Sequence, residues 1–379
     1  MTASFRSLAV VLALLCGHLA GAETCQPREE YDDIASTVTQ RFYDQTFGGV
    51  DWPRMVERYR GEIECTDDES EVAVVSNKLL SELKASHTAV YTASDVDYWG
   101  LNSFFSKDLD EYETGFPGVW PEAQNGKWYV KYVLEGSAAA RAGISPGDEL
   151  ISIEGKPFRP LGFVAGQSSL VISSDGVAQR NVLLHVTRRS VMRALVDASA
   201  ASAAVLNAGR YKVGYFHLWA ARDRILEKLN TSLARFEQDR IDALILDLRG
   251  GYGGTSVEYL ARLRKGSALE NVPKYFLVDD GVRSGKEMLA AIIKKDGLGT
   301  LVGSRTAGAF LGGVPVRLAS GKYFVLVAAF GGTVPEVGPI EGVGVTPDIL
   351  VSPCRVHCKG VDPQLETVLG LIKAKSQRS

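Results

Sequence analysis

Ala243-Leu-Ile-Leu-Asp-Leu-Arg-Gly-Gly-Tyr-Gly-Gly254 reads as a buried strand that breaks into a glycine-rich turn and heads toward a helix. Four glycines let the backbone approach a ligand closely and aim its N–H groups, as an oxyanion hole requires; a purely structural turn is the alternative. The run lacks the Gly-Lys-Ser/Thr ending of a P-loop and the GxGxxG spacing of a dinucleotide site, which argues against nucleotide binding. On its C-terminal side, strands Tyr275 to Val278 and Thr300 to Val302 alternate with helices near Val257 to Leu263 and Gly285 to Lys294. That order predicts an α/β core with parallel strands. Val316 to Leu318 and Tyr323 to Val327 flank the hairpin signal Ser320-Gly321, and Pro363 to Lys373 reads as the last helix.

The chain has 379 residues, 45% of them apolar, and a formal charge of −3. It can bury a large core, and no basic stripe argues for nucleic acid. Arg6, the apolar run Leu8 to Leu15 and Ala20-Gly21-Ala22 form a signal-peptide pattern over residues 1–22, with the mature start at Glu23. Lipidation of Cys16 is the rival, but Leu14 and Leu15 stand where small residues are expected. No membrane anchor is expected, and localisation is periplasmic or secreted. Removal of the leader leaves Cys25, Cys65, Cys354 and Cys358, an even number suited to an oxidising compartment. Proximity in sequence favours Cys25 with Cys65 and Cys354 with Cys358, although four cysteines allow three pairings. A Cys354/His357/Cys358 zinc site lacks a second cysteine pair nearby.

Residues 23–110 read as a helical N-terminal unit, with apolar positions at helical spacing from Ile34 to Phe42 and from Val74 to Leu83. The text from Trp128 to Phe158, WYVKYVLEGSAAARAGISPGDELISIEGKPF, resembles the PDZ fold, with a short Ala-rich helix before a Gly-x-x-Pro-Gly-Asp turn. Asn181 to Arg189 supplies its last strand, giving a PDZ-like domain over about 111–190. PDZ domains take a peptide as an added strand and hold its carboxylate in backbone N–H groups. Gly115-Phe116-Pro117-Gly118 is the candidate loop, unless its glycines only make turns. An Ala/Ser-rich linker, 191–210, precedes the core at 211–379.

Ser284 begins Ser-Gly-Lys-Glu287, a literal capping box ahead of Met288, Leu289, Ile292 and Ile293. The same helix N-terminus suits a nucleophile, since N–H groups and the dipole favour negative charge there. Local sequence does not separate the two. A serine nucleophile needs a base, and Ser86-His87-Thr88, at the end of the helical unit, offers one. His185 and His217 sit in strand-like runs and read as packed residues. Glu341, within Gly338 to Asp348, is an acid placed to orient a base.

In order, SHT, the PDZ segment, DLRGGYGG, RSGKE, VGSRTAGA, EGVGVTPDI and DPQLE resemble the carboxyl-terminal processing (tail-specific) peptidases, and also the catalytic part of tricorn protease, over about Ile34 to Ile372. The resemblance implies a crotonase-like spiral core with an inserted PDZ domain, Ser284 as nucleophile, and N–H groups at Gly253 and Gly285 as the oxyanion hole. It implies a polypeptide substrate and no cofactor. One departure is informative. The Ser-Lys branch carries its base in a TFGKG motif, and an ungapped alignment puts Ala309 at the lysine position. Lys286 lies about 200° around the helix from Ser284 and points away. The tricorn-like branch uses a Ser-His pair with a second serine and a glutamate, which Ser86, His87, Ser284 and Glu341 match. The alternative is an inactive family member that binds a peptide or apolar ligand. An acyl-CoA enzyme is disfavoured by the export signal and the PDZ insertion.

Overall fold

Ala243–Asp247 and Lys274–Val278 are buried at every position, as strands covered on both faces must be. A computed structural model of the protein describes residues 25–375 except 66–67, 161, 255–256, 265 and 335–336, so the expected leader lies outside the described residues. The two strands sit in a six-stranded sheet of order Ala204–Ala208, Tyr211–His217, Ala243–Asp247, Lys274–Val278, Thr300–Gly303, Ile349–Leu350. Its first pair is antiparallel and the others are parallel. Helices Asp223–Asp239 and Gly285–Lys295 cover one face through Ile225, Leu229, Leu289 and Ile293, and Pro363–Lys375 covers the other through Val368 and Ile372. The segment expected as a helix near Val257 is a 3-10 helix, Val257–Leu263.

The helices Gln26–Arg41, Trp52–Arg60 and Glu69–Ser81 share one core with the hairpin Gly312–Arg317/Tyr323–Phe330, through Tyr31, Ile34, Leu79, Val325 and Val327. Ala89–Thr92 is the third strand of that sheet, with Ala89 opposite Leu326. This pairing carries the residues just before Ala89 across to the C-terminal half of the chain.

A second six-stranded antiparallel sheet runs Val119–Gln124, Lys127–Val133, Glu149–Ile153, Gly166–Ser173 and Arg180–Val186, with Lys156–Pro157 paired beside Glu149–Ile153, and holds its own core and the short helix Ala138–Arg141. Gly147 makes the expected turn at φ 85°, and Asp148 accepts a hydrogen bond from the Ser145 N–H at 3.0 Å. The last predicted strand is split: Arg188–Ser190 leaves the sheet and pairs with Glu113–Gly115.

Residues 191–210 are not a linker. Val191–Ser202 is a helix capped by the Ser190 hydroxyl, which accepts from the Arg193 N–H, and Ala204–Ala208 is the edge strand of the core sheet. Alanine is the best helix former, and small residues let this helix pack closely, with Val191, Met192 and Leu195 fully buried. Composition alone mimicked a flexible tether.

Disulfides join Cys25 to Cys65 and Cys354 to Cys358. Arg249 fastens the glycine-rich turn: its guanidinium binds Asp247 through Nε at 2.9 Å, and Asp362 and Gln364 through Nη1 at 3.0 Å. Burial raises the Asp247 pKa, but Arg249 and His217 outweigh it and hold the carboxyl below the usual range. Removing one partner of a buried ion network leaves an uncompensated charge, at a cost of about 3–5 kcal/mol. Arg249→Ala is expected to lower the urea midpoint accordingly at unchanged m-value.

Candidate active site

Ser284 follows a turn from Val278 and precedes the helix Gly285–Lys295, yet it does not cap that helix. Its backbone sits at φ 55°, ψ −130°, its side chain makes no cap hydrogen bond, and its N–H donates to the Ala309 carbonyl at 2.7 Å. Glu287, which a capping box would turn back toward Ser284, instead accepts from Thr306 Oγ1 at 2.5 Å, Gly308 N at 2.7 Å and Ala309 N at 2.8 Å. The sequence pattern is there, but the box is not formed. A positive φ at a non-glycine residue costs of order 1–3 kcal/mol and persists where its surroundings over-determine it.

Gly253 and Gly254 fit against this residue with no room for side chains. A Cβ on Gly253 would lie 2.5 Å from Ser284 Cβ and 2.9 Å from Gly285 N, and one on Gly285 would lie 1.5 Å from the Gly254 carbonyl oxygen. From beneath, Lys286 Nζ donates to the carbonyls of Leu218, at 3.1 Å, and Gly250. Burial pushes the Lys286 ammonium down to about 7, a value suited to a base. Geometry denies it that role, because the amine is spent on carbonyls on the far side of the turn.

Ser86, His87 and Glu341 come together across more than 250 positions of sequence. The Ser86 hydroxyl donates to Glu341 Oε2 at 2.8 Å and lies 3.0 Å from His87 Nδ1. Glu341 is itself fixed, its Oε1 accepting from Ser86 N at 2.8 Å and its Oε2 from Phe310 N at 2.6 Å and Leu311 N at 3.0 Å. A hydroxyl has one proton. Because Ser86 gives that proton to Glu341, it accepts from Nδ1–H of His87, and the other ring nitrogen, Nε2, is left unprotonated. Burial, then the charge of Arg283, lower the His87 pKa to about 4, against the opposing influence of Glu341.

Ser86, His87, Gly253 and Ser284 line one cavity of about 460 Å³. Its walls are Tyr91, Leu101, Phe104, Phe105, Leu326 and Phe330, with Asp97, Tyr252 and Arg283 as further polar groups. Sequence reasoning missed these last three; Arg283 alone had a signal, being next to Ser284.

The candidate peptide loop is differently disposed. Phe116 is buried, with its N–H donating to the Thr187 carbonyl at 3.4 Å, and Pro117 has no N–H to offer. Gly118 sits at φ 88°, where a Cβ would meet Ser137 Cβ at 2.3 Å. The loop is a corner whose Phe116, Pro117 and Gly118 line a cavity of about 250 Å³ with Ser137, His185 and Arg189, and it leads into the edge strand Val119–Gln124, which pairs on one side only among the described residues. Of the histidines read as packed, His217 is buried between Glu135 and the Arg249 carbonyl, but His185 is exposed.

Three family profiles match this chain: tricorn protease C1 domain over residues 26–81, PDZ domain over 129–164, and peptidase family S41 over 258–351. Ser284, Ala309 and Glu341 fall inside that match, whereas His87 and the DLRGGYGG turn fall outside all three. The chain is 26% identical to "Putative tricorn protease homolog 2" of Streptomyces coelicolor over 85% of its own length and 30% of the relative's. It is 24% identical to "Carboxyl-terminal-processing peptidase 3, chloroplastic" of Arabidopsis thaliana, over 90% of its own length and 75% of the relative's. It thus spans about a third of the tricorn homologues and most of the processing peptidases. Its fold is that of "Photosystem II D1 C-terminal processing protease", with a TM-score of 0.55 at 19% identity over 92% of this chain and 98% of that one. The printed names of these relatives are those of peptidases.

Proposed function

We propose that the chain is a peptidase of family S41 that hydrolyses peptide bonds with Ser284 as nucleophile and His87 as general base, in the Ser-His manner. The observation that carries this is the Glu341–Ser86–His87 relay, which leaves Nε2 unprotonated in the cavity that Ser284 lines. Ser284 Oγ attacks the scissile carbonyl carbon as Nε2 takes its proton, and a tetrahedral oxyanion forms. The backbone N–H groups of Gly253 and Gly285 receive the oxyanion, a role supported by the close fit of both residues around Ser284. The proton then passes from His87 to the leaving amine. Water, deprotonated by the same nitrogen, releases the acyl group. The test is hydrolysis of an unstructured peptide by the intact chain and its absence in Ser284→Ala.

In this reading Glu341 acts through Ser86 rather than on the imidazole directly. Glu341→Gln keeps the size but weakens the acceptor that holds the Ser86 proton, so the tautomer of His87 is less well defined. A fall in kcat of about 10–100-fold with KM little changed is expected, measured in steady-state kinetics.

The division into a helical unit at 23–110, a PDZ-like domain at 111–190 and a core that begins with the helix Val191–Ser202, crotonase-like in its spiral, belongs to the same proposal. Polypeptide enters along the open edge Val119–Gln124, whose Trp120 ring centroid lies 5.8 Å from that of Tyr252 in the cavity wall. Export fits the leader pattern and the two disulfides, which persist in oxidising compartments such as the periplasm. No metal or organic cofactor enters the chemistry.

A further inference from the structure

Arg283 stands immediately before Ser284 and lines the same cavity, exposed to it. Its guanidinium makes no hydrogen bond or ion pair among the described residues, in contrast to those of Arg249 and Arg355, which are paired with two acids each. Asp97 lies in the same wall, but its Oδ1 accepts from the Tyr252 hydroxyl at 2.8 Å and it forms no ion pair with Arg283. Apolar groups of the same cavity are Leu101, Phe104 and Phe105 on one helix and Leu326 and Phe330 on a strand, and Tyr91 and Tyr252 add hydroxyls. A guanidinium offers five donors in a rigid plane, matched to a carboxylate.

We infer that Arg283 is a specificity-determining residue that binds a carboxylate of the polypeptide substrate. Arg283 and Ser284 are adjacent in the chain and line one cavity, so a group held by Arg283 lies in the cavity where Ser284 attacks the carbonyl. The carboxylate is therefore an acidic side chain flanking the scissile bond, or the free carboxyl terminus just beyond it. The remaining cavity wall accepts apolar side chains. Arg283 also acts against protonation of His87, and a bound carboxylate relieves that influence as the substrate arrives. This inference deepens the proposed peptidase reading and rests on it.

The test separates binding from turnover. Full-length Ser284→Ala protein is titrated with fluorescent peptides in matched pairs, one pair differing as free carboxyl against terminal amide. The other pair, blocked at both ends, differs as Glu against Gln beside the central bond, and a Lys peptide completes the set. At least one carboxylate peptide is expected to bind about tenfold tighter than its neutral partner, with the advantage lost in Ser284→Ala/Arg283→Gln and partly kept in Ser284→Ala/Arg283→Lys. In the Ser284 background the same preference appears in kcat/KM, and Arg283→Gln moves the acid limb of the rate profile to higher pH. Equal binding within about twofold in both pairs overturns the inference, as does tighter binding of the Lys peptide or a carboxylate preference that survives Arg283→Gln. A carboxylate preference in binding with no cleavage by the parent leaves this assignment standing and sinks the peptidase reading instead.

Discussion

Ser284→Ala lowers kcat/KM on an unstructured peptide by about four orders of magnitude or more, the scale expected for loss of a covalent nucleophile, and leaves the thermal midpoint nearly unchanged. Both halves of this result follow from the same geometry. The Ser284 side chain makes no cap hydrogen bond, so its removal forfeits none of the roughly 1 kcal/mol that an N-cap serine supplies. The backbone at φ 55° is equally strained for serine and for alanine, so the substitution does not change that cost. A helix-capping serine behaves in the opposite way, losing stability and keeping activity. Measuring both on one protein separates the two readings that the Ser-x-x-Glu pattern left open.

His87→Ala is expected to cost about three to four orders of magnitude in kcat/KM, and to add little when combined with Ser284→Ala, because groups that act as a unit are not additive. Its pH signature is more telling. The base works when unprotonated, and burial together with Arg283 holds its pKa at about 4. Activity is therefore lost as pH falls through about 4, not through the 6.5 or so of an ordinary histidine. The expected kcat/KM at pH 5.5 is within about twofold of that at pH 7, since the free enzyme's titration governs this parameter. A limb centred near 6.5 contradicts the environment described for His87.

The parallel core was legible because its signals are local. Ala243–Asp247 ends where the apolar run meets Asp-Leu-Arg-Gly-Gly, and Gly285–Lys295 carries its apolar positions at helical spacing. The assembly of the site was not legible in that way. Ser86 and Glu341 meet only because Ala89–Thr92 pairs with Tyr323–Phe330, a register set by packing of the N-terminal helices on that hairpin rather than by any nearby residue. The resemblance to a peptidase family named the residues, but the insertion of Ser86 between His87 and Glu341 is a matter of side-chain geometry.

Two local patterns, one misread as a linker and one left open between cap and nucleophile, are overruled by tertiary partners. The Ala/Ser-rich 191–202 stretch looked tether-like but is a buried helix, since small residues serve close packing as well as flexibility. The Ser284/Glu287 pair looked like a capping box, but Glu287 is taken by Thr306, Gly308 and Ala309, which lie about twenty residues on in sequence. Arg283 was passed over because its significance lies in what surrounds it, and those walls come from residues 91–105 and 326–330.

The most direct measurement is the site of covalent labelling by a serine-directed fluorophosphonate, read by mass spectrometry of the digested intact chain. Modification of the parent on the peptide carrying Ser284 is predicted, with labelling abolished in Ser284→Ala and strongly slowed in His87→Ala. Label on another serine, or a His87→Ala protein that reacts as fast as the parent, would contradict the assignment of Ser284 and its histidine base.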